Sequence, residues 1–398
     1  MATINKAGNR MIQIQGGVIG PAEPRKKTLK VRTVDDYPSV AKAHLEVAEI
    51  YADRKMAGGI PICDESIALM QHMFTEEEAS VMRYLKGGKR ETAASIAAAE
   101  HRPVEEVRPL LDKLADDKRI IISFGKGDEK MYMSIPLLPG AFEFILSRTS
   151  MDSLTDWHRR FCELFETLYE TGYVVEQPLS TAPPFIKYLP IGQIIEAHPM
   201  AYPSDKVAEI LSRYSTIGVT LCQCRMTEEI VGRGCDRPKE VCMAMGPFAE
   251  ASIRSGRLRR IELKEALEIK AEAEASGLVS WMDCQDPKIG GTSCSCCGCC
   301  CHLMRRVSEF NMPARLAPPH FVPKVDHAKC NYCGKCALAC PMGAITVDVV
   351  NNTYAWDDKR CIGCAQCAVA CSKLKAIDMM VVPHVDDFLQ TNTRSFLS

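Results

Sequence analysis

The chain has 398 residues, 46% of them apolar, enough for two or three domains with a sizeable core. Its 49 Lys+Arg against 50 Asp+Glu give a formal net charge of -1, which excludes a generally basic, nucleic-acid-coating protein. No apolar run nears the ~20 residues of a spanning helix, and Met1-Ala-Thr-Ile-Asn-Lys6 lacks a signal-peptide layout, so a cytoplasmic protein is expected.

Residues 1–70 read as an extension with one helix. Gly16-Gly17, Gly20-Pro21 and Pro24-Arg-Lys-Lys27 punctuate it. The helix is expected within 39–56, where Val40, Ala43, Val47 and Ile50 keep helical spacing. Residues 71–137 form a small module. Thr75 and Glu78 make a capping box ahead of Ala79, Met82 and Leu85, and Gly87-Gly88 stop that helix. A second helix is expected over 91–100. A third runs from Pro103 through Leu114 and is kinked at Pro109. Arg119–Ser123 and Met131–Ser134 then read as a hairpin. Three helices and a hairpin resemble a winged helix. Its third helix is acidic, however: Glu105, Glu106, Asp112, Asp116 and Asp117 stand against Arg108 and Lys113, five acids against two bases. Phosphate neutralisation supplies most non-specific DNA affinity, so no nucleic-acid partner is expected.

Residues 138–220 are expected to be a helical connecting region. Thr155–Tyr169 carries Trp157, Phe161, Leu164 and Phe165 mostly on one side, and Ser204 is expected to cap a helix ending at Tyr214. Glu262–Ser276, stopped by Gly277, is another strong helix.

The 21 cysteines are unevenly spread: Cys63 and Cys162 stand alone, eleven lie within 222–301 and eight within 330–371. Clustering in a reducing compartment points to metal before disulfide. Cys330, Cys333, Cys336 and Cys340-Pro341 follow C-x2-C-x2-C-x3-C-P, and Cys361, Cys364, Cys367 and Cys371 repeat the spacing, with Ser372 in place of the proline. This is the bacterial two-cluster ferredoxin pattern, in which the fourth cysteine of each run serves the other cluster. Cys330, Cys333, Cys336 and Cys371 are expected to hold one [4Fe–4S] cluster; Cys361, Cys364, Cys367 and Cys340 hold the second. The pattern predicts a ferredoxin domain over 326–385, after a linker at 311–325 and before a tail at 386–398.

Residues 221–310 read as a separate cysteine-rich domain. Cys222, Cys224, Cys235, Cys242, Cys294, Cys296, Cys297, Cys299 and Cys300 are candidate ligands for one or two more clusters, with zinc as the alternative and Cys284 and Cys301 as weaker candidates. Neighbouring thiols, Cys296 and Cys297 or Cys299 to Cys301, are expected to point to different places. Arg225, beside Cys224, places positive charge near a cluster. His302 reads as a solvated or core histidine, and Cys63 and Cys162 as small buried hydrophobes.

Taken together, the winged-helix-like front, the C-x-C-R, the C-x-C-C-x-C-C-C run and the doubled ferredoxin motif resemble the 4Fe-4S dicluster ferredoxin-type proteins of anaerobes. The resemblance implies electron transfer with a redox partner, such as the subunits of a larger oxidoreductase. Two other readings stand beside it: a cluster-based redox sensor that binds DNA, and an oxidoreductase with a catalytic cluster in the middle domain. No G-x-G-x-x-G or P-loop motif occurs. The expected class is α+β, mainly helical in its N-terminal and middle parts, with a two-cluster ferredoxin domain at the end.

Overall fold

The computed structural model describes residues 10–53, 59–177, 186–283, 290–313 and 317–383, with 385 and 387. They divide into two compact units. The chain opens on a hairpin, β1 (Ile12–Gln15) and β2 (Val18–Pro21), which belongs to the larger unit.

The smaller unit comprises 26–147 and 152–177. It contains α1 (Lys42–Ala52), α2 (Asp64–Met73), α3 (Glu76–Met82), β3 (Glu91–Thr92), α4 (Ala93–Glu100), α5 (Val104–Asp112), β4 (Ile121–Phe124), β5 (Met131–Ser134), α6 (Phe142–Leu146) and α7 (Asp156–Glu170). The strands form an antiparallel sheet in the order β3-β5-β4. Pro109 lies inside α5, which widens into a π-turn over Lys113–Asp117. Sequence reading missed α2. Its signal was present: Ile67, Met70 and Met73 recur at helical spacing and all are buried. Cys63 also does more than fill space, since its Sγ accepts from the Ser66 amide at 3.4 Å and caps α2. On α7, Phe161, Phe165, Leu168 and Tyr169 are buried, and the Phe165 ring packs tilted against Phe142 with centroids 4.4 Å apart.

The capping box at α3 doubles as a buried ion site. Glu78 accepts from the Thr75 amide at 2.8 Å and from Lys118 Nζ at 2.5 Å, and Lys113 Nζ lies 3.0 Å away. Burial alone would raise the Glu78 carboxyl, but these donors hold it below the usual carboxylate range. A depressed acid contributes stability above its unfolded pKa and loses it as pH falls through the lower folded value. Glu78→Ala removes a buried acceptor from the part-buried Lys118 and from the Thr75 amide and is expected to cost roughly 1–3 kcal/mol. Urea unfolding at neutral pH tests this, and the deficit should shrink as the pH drops through the acid range.

The larger unit adds β6 (Ile186–Tyr188), α8 (Gly192–Ile195), α9 (Val207–Leu211), β7 (Ile217–Leu221), α10 (Gln223–Ile230), β8 (Glu240–Met245), α11 (Gly246–Arg254), β9 (Arg259–Ile261), α12 (Leu263–Ala275), β10 (Val279–Asp283), β11 (Gly291–Cys296) and α13 (His302–Ser308). Here the structure corrects the expectation of a mainly helical middle part. The region is built on a six-stranded antiparallel sheet, ordered β6-β10-β11-β8-β7-β9. Short apolar runs such as β7 and β8 are buried throughout most of their length, and periodicity cannot tell such runs from buried helix. Against this sheet pack α9 and α12, closing a core of Leu211, Val219, Met243, Met245, Ala266 and Met282. Ser204 is not the cap of a helix to Tyr214; α9 starts at Val207, and Ser204 is buried and accepts from Lys187 Nζ at 3.2 Å.

The C-terminal part holds β12 (Phe321–Val325), α14 (Lys335–Ala339), β13 (Ile345–Asp348), β14 (Thr353–Trp356), α15 (Gln366–Ala370) and β15 (Ile377–Val381). The extension expected over 1–70 is not one piece: the β1–β2 hairpin joins this part, giving a sheet ordered β1-β2-β13-β14. Likewise the end of the expected linker, 321–325, is strand β12, paired with β15. The middle and C-terminal parts share one core, in which Cys222, Cys242 and Cys300 lie with Phe321, Ala337, Ile345 and Cys367. They meet at Gly298, where an added Cβ would come within 1.8 Å of the Pro341 carbonyl oxygen. Only glycine permits that approach.

Candidate metal centres

Two cavities lie in the C-terminal part. One, of about 290 Å³, is lined by Cys330, Cys333, Cys336 and Cys371. The other is lined by Cys340, Cys361, Cys364 and Cys367. Each therefore takes three cysteines from one run and the last cysteine of the other. In both runs the residue before the short helix, Gly334 or Ala365, has a left-handed backbone, with φ of 72° and 64°. This turn is what curls the thiols around a common space. Backbone amides reach the sulfurs: Tyr332 N lies 3.4 Å from Cys330 Sγ and Ala344 N 3.2 Å from Cys340 Sγ. Burial and the charges of Cys330, Cys371 and Cys333 push Cys336 up to about 12; burial pushes Cys361 up to about 11. Thiols raised in this way become ligands only where a metal cation offsets the thiolate charge.

The middle cysteines form two groups. In the first, the Sγ atoms of Cys235, Cys297, Cys299 and Cys300 all lie within 4.8 Å of one another and all four residues are buried. The second is a run of neighbouring thiols, each shifted by the next: Cys294 next to Cys242, Cys242 to Cys222, Cys222 to Cys224, Cys224 to Cys301, and Cys301 to Cys296. Cys294 and Cys296 are two apart on β11 and so share a face, which brings the ends of this run together. Six thiols thus ring one space. Cys222 caps α10 and Cys301 caps α13, so two helix starts face the ring. Thiol donors and backbone amides hold both well below the usual thiol range.

Cations line both groups. Arg225 is 1% exposed, donates to the Ser295 carbonyl at 3.0 Å and places Nη1 3.8 Å from Cys297 Sγ. Burial works against its charge, and the sulfurs of Cys222, Cys297, Cys242 and Cys296 overcome that cost. Arg237 Nη1 lies 3.5 Å from Cys299 Sγ. Lys270, fully inside, donates to the Ser293 and Ser295 hydroxyls at 2.9 and 3.2 Å, from the face of β11 opposite its cysteines. The Trp281 indole N–H points at Cys296 Sγ at 3.1 Å.

All nine middle candidates fall into one or other group, with Arg225 beside both. Cys296 and Cys297 diverge, and so do Cys300 and Cys301, as adjacent residues should. Cys299 and Cys300 do not diverge; their sulfurs are 3.7 Å apart. Two residues were undervalued from sequence. Cys301 completes the ring, and His302 is buried with Nδ1 3.2 Å from Cys224 Sγ. Cys284 lies outside the described residues. Every described cysteine is a free thiol.

A family profile described as "4Fe-4S dicluster domain" matches residues 329–374. No curated protein and no solved structure gives a significant match. The profile match and the gathered thiols support an iron–sulfur protein of mixed helix and strand with a ferredoxin-type domain. Among the described residues, no helix is long and apolar enough to cross a membrane.

Proposed function

We propose that this is an electron-transfer protein of the cytoplasm of an anaerobe, passing electrons between redox partners such as the subunits of a larger oxidoreductase. The carrying observation is the crossed lining of the two C-terminal cavities. In this reading Cys330, Cys333, Cys336 and Cys371 hold one [4Fe–4S] cluster, and Cys340, Cys361, Cys364 and Cys367 hold the other. Each cluster, when bound, accepts and returns one electron. The ring of Cys222, Cys224, Cys242, Cys294, Cys296 and Cys301 holds a further iron–sulfur cluster, with Arg225 offsetting thiolate charge. What favours a relay is the core shared by the middle and C-terminal cysteines, since electrons cross only short gaps.

The order of α3, β3, α4, α5, β4 and β5 supports reading residues 76–134 as a winged-helix-like module. The bases of α5 and its π-turn are already engaged: Arg108 pairs with Asp128 at 2.7 Å, and Lys113 with Glu78. A docking module for protein therefore suits it better than a DNA reader.

The test is anaerobic purification with iron and sulfide analysis. About eight irons from the two C-terminal sites, plus those of the ring, are expected. Reduction should give a spin-coupled paramagnetic spectrum. A colourless protein holding only zinc would refute the proposal, as would specific DNA binding at physiological salt combined with no electron transfer.

A further inference from the structure

The four-thiol pocket and the ring differ in kind. A divalent metal bound tetrahedrally at about 2.3 Å to each sulfur sets its ligand sulfurs about 3.8 Å apart. Cys299 and Cys300 are at 3.7 Å, and the whole set of four lies within 4.8 Å. A four-iron cube makes a different demand. Each thiolate bonds a separate iron, so the sulfurs stand further apart around a larger body. The C-terminal cysteines are arranged that way: Cys330, Cys333, Cys336 and Cys371 stand around a cavity of about 290 Å³. In the four-thiol pocket, by contrast, the sulfurs of Cys235, Cys297, Cys299 and Cys300 all lie within 4.8 Å of one another, with no room for a larger body between them.

We infer that Cys235, Cys297, Cys299 and Cys300 form a mononuclear tetrathiolate site for one divalent transition metal, zinc or iron, rather than a cube. The donor set suits it, because tetrahedral S4 coordination is the arrangement these metals take. Cations also favour the site. Four thiolates and one divalent ion leave two negative charges, partly offset by the Arg237 guanidinium beside Cys299 and by the Arg225 guanidinium beside Cys297, which the pocket shares with the ring. All four cysteines are buried, the sulfurs leave no open position, and closed sites of this kind are structural. The metal would tie the loop carrying Cys235 to the turn 297–300. That turn also carries Gly298, which meets Pro341, and it leads into Cys301 of the ring. The site therefore braces the contact between the middle and C-terminal cysteines without itself carrying electrons when zinc fills it.

The experiment uses the full chain, purified without oxygen, and counts zinc, iron and acid-labile sulfide in wild type and Cys235→Ser. The expected result is that the variant loses one zinc per chain, or one iron with no sulfide. Loss of about four irons with about four sulfides would overturn the inference in favour of a cube; unchanged metal content would overturn it outright. Should the variant fail to fold, wild type decides. X-ray absorption at the zinc edge should show four sulfur neighbours and no nearby iron, or else iron should exceed sulfide by one per chain. Equal iron and sulfide with no zinc would overturn the inference. Either negative result leaves the C-terminal clusters, counted by their own sulfide, unaffected.

Discussion

Cys340→Ala should strip iron from the cavity lined by Cys361, Cys364 and Cys367 and spare the cavity lined by Cys330, Cys333 and Cys336. Along the chain Cys340 belongs with the second trio, and intuition assigns it there. In space it stands with the other run, where the Cys364 and Cys367 thiols feel its charge. Its own sulfur accepts from the Ala344 amide at 3.2 Å, and no cysteine beyond these four lines the cavity to replace it. The loss should range from about one iron, if three thiolates retain a smaller cluster, to about four. Cys371→Ala should do the reverse, because Cys371 lines the cavity of Cys330, Cys333 and Cys336. The reduced spectrum of either variant should lose its spin coupling, since one partner is gone or altered. Pairing each single variant with Cys361→Ala separates the alternatives. If Cys340 and Cys361 serve one cluster, the double variant loses little more iron than the worse single one. If the two losses add, the crossed assignment is wrong.

The C-terminal sites were legible because the spacing itself is the geometry. Two-residue gaps and a left-handed turn at Gly334 or Ala365 bring thiols together whatever the rest of the chain does. The middle sites were legible only as a composition. Their ligands come from three strand or loop segments and two helix starts, so which thiol meets which depends on the register of β7, β8 and β11. That sheet was hidden because its strands are short and carry Cys and Ser where strands usually carry β-branched residues. Yet Ser293-Cys-Ser-Cys296 alternates with period two, the serines turned to Lys270 and the cysteines to the ring. Reading those four residues as a strand face sends Cys294 and Cys296 to one space. The β1–β2 hairpin was missed for another reason: Gly16-Gly17 was read as punctuation in an extension, although Gly-Gly between two apolar-containing pairs is a hairpin turn. Pairing of β2 with β13, more than three hundred residues away, leaves no local trace at all.

Cys301→Ser is expected to cost the ring its cluster while leaving the C-terminal irons in place. Cys301 neighbours the thiols of Cys224 and Cys296 and the Met304 amide at the start of α13, all of which favour its thiolate. Serine keeps the size, so the fold should survive, but its hydroxyl gives up a proton far less readily than a thiol and is a poorer ligand for iron. Among the described sulfurs the remaining ring positions, Cys222, Cys224, Cys242, Cys294 and Cys296, are each tied to a neighbour, and none faces a spare partner on the far side. Iron and sulfide should therefore fall together, by about four of each or more if the ring holds a larger cluster. The zinc or sulfide-free iron of the four-thiol pocket should stay, because Cys301 is not among its ligands. Cys162→Ser serves as the control: Cys162 is as deeply buried but lies on α7, and its loss should change stability without changing metal content. If Cys301→Ser keeps its full iron, the six thiols are a store of hydrogen-bonded sulfur and not a ligand set. If instead it empties all sites at once, the ring, the pocket and the ferredoxin cavities fold as a single metal-dependent core, which the shared packing around Phe321 and Gly298 makes the natural alternative.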